Sequence, residues 1–211
     1  KVVYFLCDGE LGHNDAMQMV RQVGLHLLSK LRYNSALYFP YDGLYCGRGP
    51  RRKYGQKVDY QHIPSTYLQS TSIDKEIKTQ VYQMSLWHKK FAEMLNVVVI
   101  VKTNLQTHKT AHVVLFSSDL TLGYDLLIDY YRLRFQLEFN FRDAKQYWGL
   151  EDFMNVNARP VYNGANLAMF MVNVSHALIR PMRTQWSAFS VNDLKAWFRG
   201  QKYVVETLKL L

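Results

Sequence analysis

Four residues that could bind an anion or a metal ion lie at helical spacing in the second half of the chain: Tyr131, Arg134, Glu138 and Lys145. The surrounding stretch, residues 130–146, contains no Gly or Pro and is rich in Leu, Phe, Arg, Gln and Glu, which predicts a helix. At about 100° per residue, the four side chains fall within an arc of roughly 60°. One carboxylate would then lie between two cations and a phenol. An ordinary ion-pair ladder is the alternative, since Arg134 and Glu138 have i,i+4 spacing.

A second carboxylate, Asp8, directly follows an apolar run, residues 2–7, that predicts a buried central strand. The end of such a strand is where α/β sheets place ligand-binding carboxylates. Asp8-Gly9 is also an ordinary turn dipeptide, and that is the simpler explanation of Asp8 taken alone. Glu10 is the only local alternative as an acid on the same side.

The spacing Tyr131-x2-Arg134-x3-Glu138-x6-Lys145 matches every position of a Y-x2-R-x3-E-x6-K signature. With its flanking words, Tyr-Arg-Leu-Arg-Phe-Gln-Leu-Glu-Phe and Phe-Arg-Asp-Ala-Lys-Gln, this stretch resembles the Asp-Asp-Glu (DDE) transposases of the insertion-sequence-4-like group. The words around Asp8 are similar to the strand end that carries the second catalytic acid of that family. Leu11 departs from the pattern, because an aromatic residue is common there.

The resemblance implies that Asp8 and Glu138 are catalytic acids that bind two Mg²⁺ or Mn²⁺ ions. Two such ions, about 3.5–4 Å apart, activate the attacking oxygen and stabilise the leaving oxygen of a phosphodiester. Tyr131, Arg134 and Lys145 would hold the DNA backbone beside the scissile phosphate, Arg in a bidentate manner and Lys as a point charge. The implied function is DNA cleavage and strand transfer at transposon ends.

The implied partners are transposon-end DNA and target DNA, with a homodimer assembled on paired ends. The implied location is the bacterial cytoplasm, in association with the nucleoid. The expected fold class is α/β, a partial ribonuclease-H-like fold with a β-rich insertion before the glutamate-bearing helix. No apolar run approaches the ~20 residues that would span a bilayer.

The set of catalytic acids is expected to be incomplete within this chain. The first Asp of the family lies on a strand upstream of Asp8, and Asp143 points about 140° away from Glu138 on the predicted helix. We therefore expect the chain to be the C-terminal portion of a transposase, or its remnant, and to be inactive alone. Two alternatives are a non-catalytic DNA-binding remnant and a ribonuclease-H-like nuclease that never joins strands.

Periodicity and capping residues predict the remaining elements. A helix is expected at 16–31, with His13 or Asn14 as its cap, and a strand at 35–39. Strands are also expected at 96–102 and 112–116, and Thr121 is expected to cap a helix at 122–148 that ends at Gly149. Further helices are expected at 165–182 and after Ser190-x2-Asp193, the last with a break at Gly200. The expected division is 1–39 core, 40–120 β-rich insertion, 121–185 core helices and 186–211 C-terminal helix.

The charge of the chain favours a polyanionic partner. Its 211 residues carry a formal net charge of +9, and nucleic acid is the commonest polyanion, although a basic cytosolic enzyme explains the charge equally well. Cys7 and Cys46 are far apart and are expected to be reduced intracellular thiols rather than a zinc site or a disulfide framework.

A basic loop at residues 48–55 contains Arg51, Arg52 and Lys53, with Gly and Pro at its bends. Similar words occur in the insertion of the resembled family, and we expect the loop to contact the DNA backbone without reading sequence. Trp87 is a candidate for stacking on an extruded base, although a lone Trp is more often a core residue. Further minor candidates are Lys89 and Lys90 as a small basic patch, Arg159, Arg180 and Arg183 as DNA-facing or solvated residues, and His108 and His112, to which no metal is assigned.

Overall fold

The computed structural model describes residues 2–45, 47 and 49–210. Cys46 and Arg48, which belong to the cysteine and basic-loop predictions, lie outside the described residues. The chain divides into two compact units, Lys1–Arg134 and Phe135–Leu211. The first unit is built on one mixed sheet, and the second consists of helices.

The sheet of the first unit has eight strands among the described residues and runs in the order β1-β2-β8-β7-β6-β3-β4, with β5 paired to β6 beside this path. The strands are β1 (Tyr4–Leu6), β2 (His26–Leu31), β3 (Leu37–Pro40), β4 (Tyr54–Lys57), β5 (Leu68–Asp74), β6 (Ile77–His88), β7 (Leu95–Asn104) and β8 (Thr110–Ser117). Only β1 and β2 pair in parallel, joined by helix α1 (Asn14–Gln22), and every other pair is antiparallel. This mixed α/β sheet is compatible with a ribonuclease-H-like fold.

The first strands and helix differ from the sequence prediction in two ways. Helix α1 is capped by His13 as predicted, with Nδ1 accepting from the Ala16 amide at 3.3 Å. It ends at Gln22 instead of continuing to residue 31, because Gly24 adopts a left-handed φ of 72° and the chain turns into β2. Strand β1 is an edge strand of the described sheet rather than a central one, and Phe5 is partly exposed.

Both faces of the sheet are covered by apolar packing. Val97 and Val99 of β7 belong to a cluster with α1, whereas the intervening Val98 belongs to a cluster with helix α2 (Tyr124–Leu133). This alternation follows from the two-residue repeat of a strand, and it explains why β7 reads as a continuous Val/Ile run. The strands predicted at 96–102 and 112–116 are confirmed within β7 and β8. They join the same sheet as β2, since β8 pairs directly with it.

Helix α2 begins on a polar network supplied by the sheet. The predicted cap at Thr121 is wrong, because the N-cap is Gly123, which offers no side chain. Gln83 of β6 takes over the role, with its Oε1 accepting from the Tyr124 amide at 3.1 Å. Asn96 of β7, only 2% exposed, donates to the Leu122 carbonyl at 2.7 Å and accepts from the Gln83 amide at 2.9 Å. Long-range contacts therefore fix where α2 starts.

The helix predicted at 122–148 is two helices. Helix α2 ends at Leu133 and α3 (Phe135–Trp148) follows, with Arg134 between them. The Arg134 amide bonds the carbonyl of Tyr131 at 3.1 Å, a tighter i→i−3 pattern than an α-helix uses. Tyr131 and Arg134 thus belong to the first unit, and Glu138 and Lys145 to the second. No Gly or Pro marks this break, so the sequence pattern could not reveal it.

The second unit contains α3, α4 (Ala158–Met182) and α5 (Val191–Leu208). Gly149 follows α3 with φ 70°, and Ser190 and Asp193 form the expected capping box of α5, so both predictions are confirmed. The predicted break at Gly200 is wrong, because α5 continues through it. Helix α4 begins before residue 165, since Pro160 is tolerated in a first turn whose amides lack helical partners.

Small residues let the helices of the second unit approach one another. Ala144 of α3 packs against Ala168 and Val172 of α4, all three at most 2% exposed. Ile179, Val191 and Leu194 form a second buried cluster that joins α4 to α5. No helix among residues 2–45, 47 and 49–210 is long and apolar enough to cross a membrane.

A hydrogen bond between Tyr4 and Asp119 provides a pH-dependent test of the sheet. The Tyr4 hydroxyl donates to Asp119 Oδ2 at 2.7 Å, so it links β1 to the segment after β8. Burial, together with the Asp119 contact, raises the pKa of Tyr4 to about 12. Tyr4→Phe should lower the free energy of unfolding by about 1–2 kcal/mol at pH 7, since the bond has a charged acceptor.

The difference in free energy of unfolding between the parent chain and Tyr4→Phe should persist up to about pH 10 and vanish as the pH rises towards 12. In that range the Tyr4 hydroxyl ionises readily only in the unfolded state. Urea unfolding of both chains across this pH range measures the difference. A difference that stays constant up to pH 12 would contradict the raised pKa. Other tyrosines titrate in both chains and cancel in the comparison.

Candidate active site

Asp8 lies directly after β1 and serves as the N-cap of a short 3-10 turn, Gly9–Leu11. Its Oδ1 accepts from the Gly9 amide at 2.6 Å, and its side chain is 64% exposed. The fully buried Ser29 of β2 fixes the backbone, because its hydroxyl lies 3.1 Å from the Cys7 carbonyl and 2.9 Å from that of Asp8. The carboxylate is therefore held on a rigid strand end and remains accessible.

The turn after Asp8 depends on the absence of a side chain at Gly12. A Cβ added there would come within 2.7 Å of the backbone oxygen of Lys30 on β2, closer than real contacts allow. The chain can therefore pass tightly over β2 before α1 begins. The predicted Asp-Gly turn and the predicted strand-end carboxylate are thus both present, because Asp8 both follows the strand and begins the turn.

Arg134 and Tyr131 lie beside Asp8. The distance from Arg134 Nη1 to Asp8 Oδ2 is 3.8 Å, and the Arg134 side chain is only 14% exposed. Its guanidinium carbon lies 5.9 Å from the centre of the Tyr131 ring. Burial raises the pKa of Tyr131, the charge of Asp8 adds to the rise, and Arg134 opposes it. Tyr131 is therefore a neutral phenol at neutral pH, able to donate a hydrogen bond.

The structure thus brings together three of the predicted residues within the first unit, namely Asp8, Tyr131 and Arg134. In the second unit, Glu138 lies exposed in the first turn of α3, where the helix dipole favours a carboxylate. Lys145 pairs with Glu151 at 2.6 Å in the same unit. The four signature residues are therefore divided between the two units, with two in each.

The fit of Asp8 to a divalent cation can be judged from its own contacts. Its two oxygens offer about four lone-pair sites, and the Gly9 amide uses one of them. Mg²⁺ binds through one or two carboxylates plus water and substrate phosphate, so an exposed carboxylate on a rigid strand end suits it. Across residues 2–45, 47 and 49–210, no group of three or more His, Cys, Asp or Glu side chains forms a ready metal cluster. Asp8 therefore fits as one ligand of a metal site that also needs other ligands.

A cleft of about 830 Å³ lies beside Asp8 in the first unit, and sequence reasoning did not find it. Its basic lining comes from the N-cap of α1, β2 and the residue after it, the end of β6, the β6–β7 turn and β8. These residues are His13, Lys30, Arg32, His88, Lys90 and His112. These residues are up to 99 positions apart in the chain, so no local pattern connects them. Burial and the neighbouring Lys90 lower the pKa of His88, which keeps that ring neutral at pH 7.

His112, which lines this cleft, makes two contacts with neighbouring residues. Its Nε2 lies 2.7 Å from the Tyr33 carbonyl, and its ring stacks on Tyr60 at 4.5 Å between centroids. Glu10 also lines the cleft, beside Asp8. The cleft therefore places cations and histidines next to the strand-end carboxylate, as an anionic substrate would require.

The basic loop pairs each of its described cations with an aromatic ring. Arg51 lies over Tyr45, Arg52 over Tyr41 and Lys53 over Trp87, at 4.9–5.2 Å from the ring centres. Lys89 lies over Tyr38 in the same way at 5.1 Å. Such cation–π contacts orient the cations without neutralising them.

Trp87 lies on β6 and is half-buried, with its ring edge-on to Tyr54 at 6.2 Å. Tyr38 pairs with Trp87 across β3 and β6 and also lies edge-on to Tyr54, at 5.5 Å. Trp87 is therefore part of an aromatic cluster at the end of the sheet, between the core and the solvent. Base stacking by Trp87 remains a prediction.

Comparison with known proteins adds one match. Residues 1–94 match the family model described as DDE superfamily endonuclease. A search of the curated proteins found no match. The matched segment contains Asp8, α1, β2 and the basic loop but stops before Tyr131 and Glu138. It covers less than half of the 211 residues, and it supports a DDE-type, transposase-like domain in the first unit.

Proposed function

We propose that this chain is the metal-binding and DNA-binding part of a DDE transposase of the insertion-sequence-4-like group. One observation carries the proposal: Asp8, in the segment matched by the DDE endonuclease family, lies at a strand end with Arg134 and Tyr131 of the signature beside it. The substrate is DNA, and the chemistry is cleavage and joining of phosphodiesters at transposon ends.

Asp8 and Glu138 are assigned as ligands of Mg²⁺ or Mn²⁺, which would activate the attacking oxygen and stabilise the leaving one. Arg134 Nη1 lies 3.8 Å from Asp8 Oδ2, so its guanidinium is close to the carboxylate assigned to the metal. A guanidinium at this place suits a substrate phosphate, because its fork of donors can bind two phosphate oxygens. Tyr131 donates its phenolic proton to the same backbone, and Lys145 adds a point charge.

A two-ion site needs more carboxylate than Asp8 and Glu138 provide. We assign the third acid to a residue outside these 211 positions, in line with the resemblance. The 211-residue chain should then bind DNA without nicking it. In the paired-end complex the protein acts as a homodimer.

Plasmid nicking tests this function. A chain extended upstream through its coding sequence should nick supercoiled plasmid in Mg²⁺ or Mn²⁺ and not in EDTA, and it should join donor ends to a target plasmid. Absence of metal-dependent nicking would rule out the enzyme and leave a DNA-binding remnant. Nicking without strand transfer would identify a hydrolytic nuclease instead.

The basic loop gives a prediction for DNA binding by the 211-residue chain itself. Counterion release makes the logarithm of affinity fall linearly with the logarithm of salt concentration, with a slope of about −0.9 per phosphate contact. Changing Arg51, Arg52 and Lys53 together to Gln should therefore make the slope shallower by up to roughly 2.7. Fluorescence anisotropy with a labelled duplex at several salt concentrations measures it.

The control changes three lysines at the opposite end of the long hairpins to Gln: Lys75, Lys102 and Lys109. It removes the same formal charge from exposed positions. A slope reduced equally by both triple variants would show that net charge alone, and not the loop, binds the backbone.

A further inference from the structure

A cleft of about 690 Å³ lies within the second unit, among α3, the C-terminal half of α4 and the start of α5. Its charged lining consists of Arg142, Asp143, His176, Arg180 and Arg183. Neither Glu138 nor Lys145 is among its lining residues. The cleft is therefore a separate feature of the helical unit.

The one carboxylate in this lining is already engaged. Asp143, whose side chain is 13% exposed, accepts from Arg142 Nη2 at 3.2 Å through Oδ1. Its Oδ2 lies 3.4 Å from His176 Nε2. A carboxylate occupied on both oxygens serves to position the arginine and the imidazole. The three guanidinium groups and the one carboxylate together give the lining an excess of two positive charges.

The surrounding contacts hold the arginines around the opening. Arg183 is fixed by its Nε, which donates to the Phe189 carbonyl at 2.9 Å. Arg142 packs over the Phe139 ring at 5.0 Å. Arg180 lies in the last turn of α4 and is exposed towards solvent. The acid nearest to the start of α5, Asp193, is bonded to Ser190 in the capping box and is not part of the lining.

We infer that this cleft is a phosphate-binding site, with Arg180 as its principal ligand and with Arg142 and Arg183 completing it. A phosphate group has enough acceptor oxygens to bond several guanidinium forks at once, which a single carboxylate does not. The phosphate can belong to a DNA backbone or to a free phosphorylated molecule. The DNA source rests on the proposed function, whereas the free source does not.

Calorimetric titration of the 211-residue chain with inorganic pyrophosphate and with a short DNA duplex tests the site. Arg180→Gln should weaken pyrophosphate binding at least about tenfold, as the loss of a charge-assisted hydrogen bond requires. Arg159→Gln is the matched control, because it removes the same charge from an exposed position of α4 outside the cleft. Its affinity should stay within about twofold of the parent chain.

The His176 ring gives a second measurement. Its ¹H–¹⁵N signals should shift on addition of pyrophosphate to the parent chain and to Arg159→Gln, and should need a correspondingly higher pyrophosphate concentration to shift in Arg180→Gln. Both substitutions are at exposed positions, and a circular-dichroism spectrum checks that each variant is folded. Equal affinities of Arg180→Gln and Arg159→Gln for pyrophosphate, or no binding of pyrophosphate by the parent chain, would overturn the inference.

The duplex titration identifies the source of the phosphate. If Arg180→Gln binds both pyrophosphate and the duplex more weakly than Arg159→Gln does, the site belongs to the DNA backbone. If Arg180→Gln loses affinity for pyrophosphate alone, the site belongs to a free phosphorylated molecule. Failure of every variant to bind duplex, with Arg180-dependent pyrophosphate binding intact, would contradict the proposed function and leave the cleft as a phosphate site.

Discussion

Asp8→Asn is expected to lower the rate of Mg²⁺-dependent DNA nicking by the upstream-extended protein about a thousandfold. A bound cation contributes several kcal/mol of charge stabilisation in the transition state, and each 1.4 kcal/mol is a factor of ten. Asn has the same shape and can still accept from the Gly9 amide, but it lacks the charge that Mg²⁺ requires. The side chain is 64% exposed, so the fold should be unaffected.

Nicking rates with Mg²⁺ and Mn²⁺, together with broadening of backbone NMR signals near residue 8 by Mn²⁺, measure this effect. Asp15→Asn is the control, since Asp15 is an exposed acid in the first turn of α1. Glu138→Gln should reduce nicking to a similar extent, with Glu206→Gln of α5 as its control. Nicking by Asp8→Asn at the parent rate would remove Asp8 from the metal site.

The second large effect is expected on stability, from Asn96→Ala. The Asn96 amide donates to the carbonyls of Asp119 at 2.9 Å and Leu122 at 2.7 Å. Alanine leaves the Asp119 carbonyl without this donor, removes one of the partners of Gln83 and opens a small cavity. We expect the free energy of unfolding to fall by about 2–4 kcal/mol.

Urea unfolding followed by circular dichroism measures the loss, and Asn34→Ala is the control. Asn34 lies in an exposed turn, where substitution should change stability by no more than about 0.5 kcal/mol. A double-mutant cycle with Gln83→Ala should give a coupling above about 0.5 kcal/mol, because the two amides bond each other. A loss below 1 kcal/mol for Asn96→Ala would mean that the network does not hold the start of α2.

The parts of the fold that the sequence predicted are those with a strong local cause. The apolar runs of β7 and β8 are stable as strands that are buried between two apolar layers. His13, Gly149 and the Ser190–Asp193 box each mark a helix end through a hydrogen bond or a left-handed residue within a few positions. Asp8 was predictable for the same reason, since a strand followed by Asp-Gly fixes its position.

The errors occur where distant residues decide the structure. The apolar spacing of residues 16–31 fits a helix, but Leu27 and Leu28 are buried as neighbours of β1 and β8 in the sheet. The start of α2 depends on Gln83 rather than on the local Thr121. The 830 Å³ cleft combines side chains from β2, β8 and the β6–β7 turn. No window of sequence contains those partners together.

The cap that Gln83 supplies to α2 has a consequence for the order of folding. Gln83 and Tyr124 are separated by 41 positions, so their bond forms only after the intervening chain has closed a long loop. Strands β6 and β7 are joined by a short connection, so their pairing loses less conformational entropy on loop closure and can occur early. We therefore expect the helix that carries Tyr131 to gain its fixed start after the transition state of folding. Substitutions in α2 should therefore accelerate unfolding and leave the rate of folding nearly unchanged.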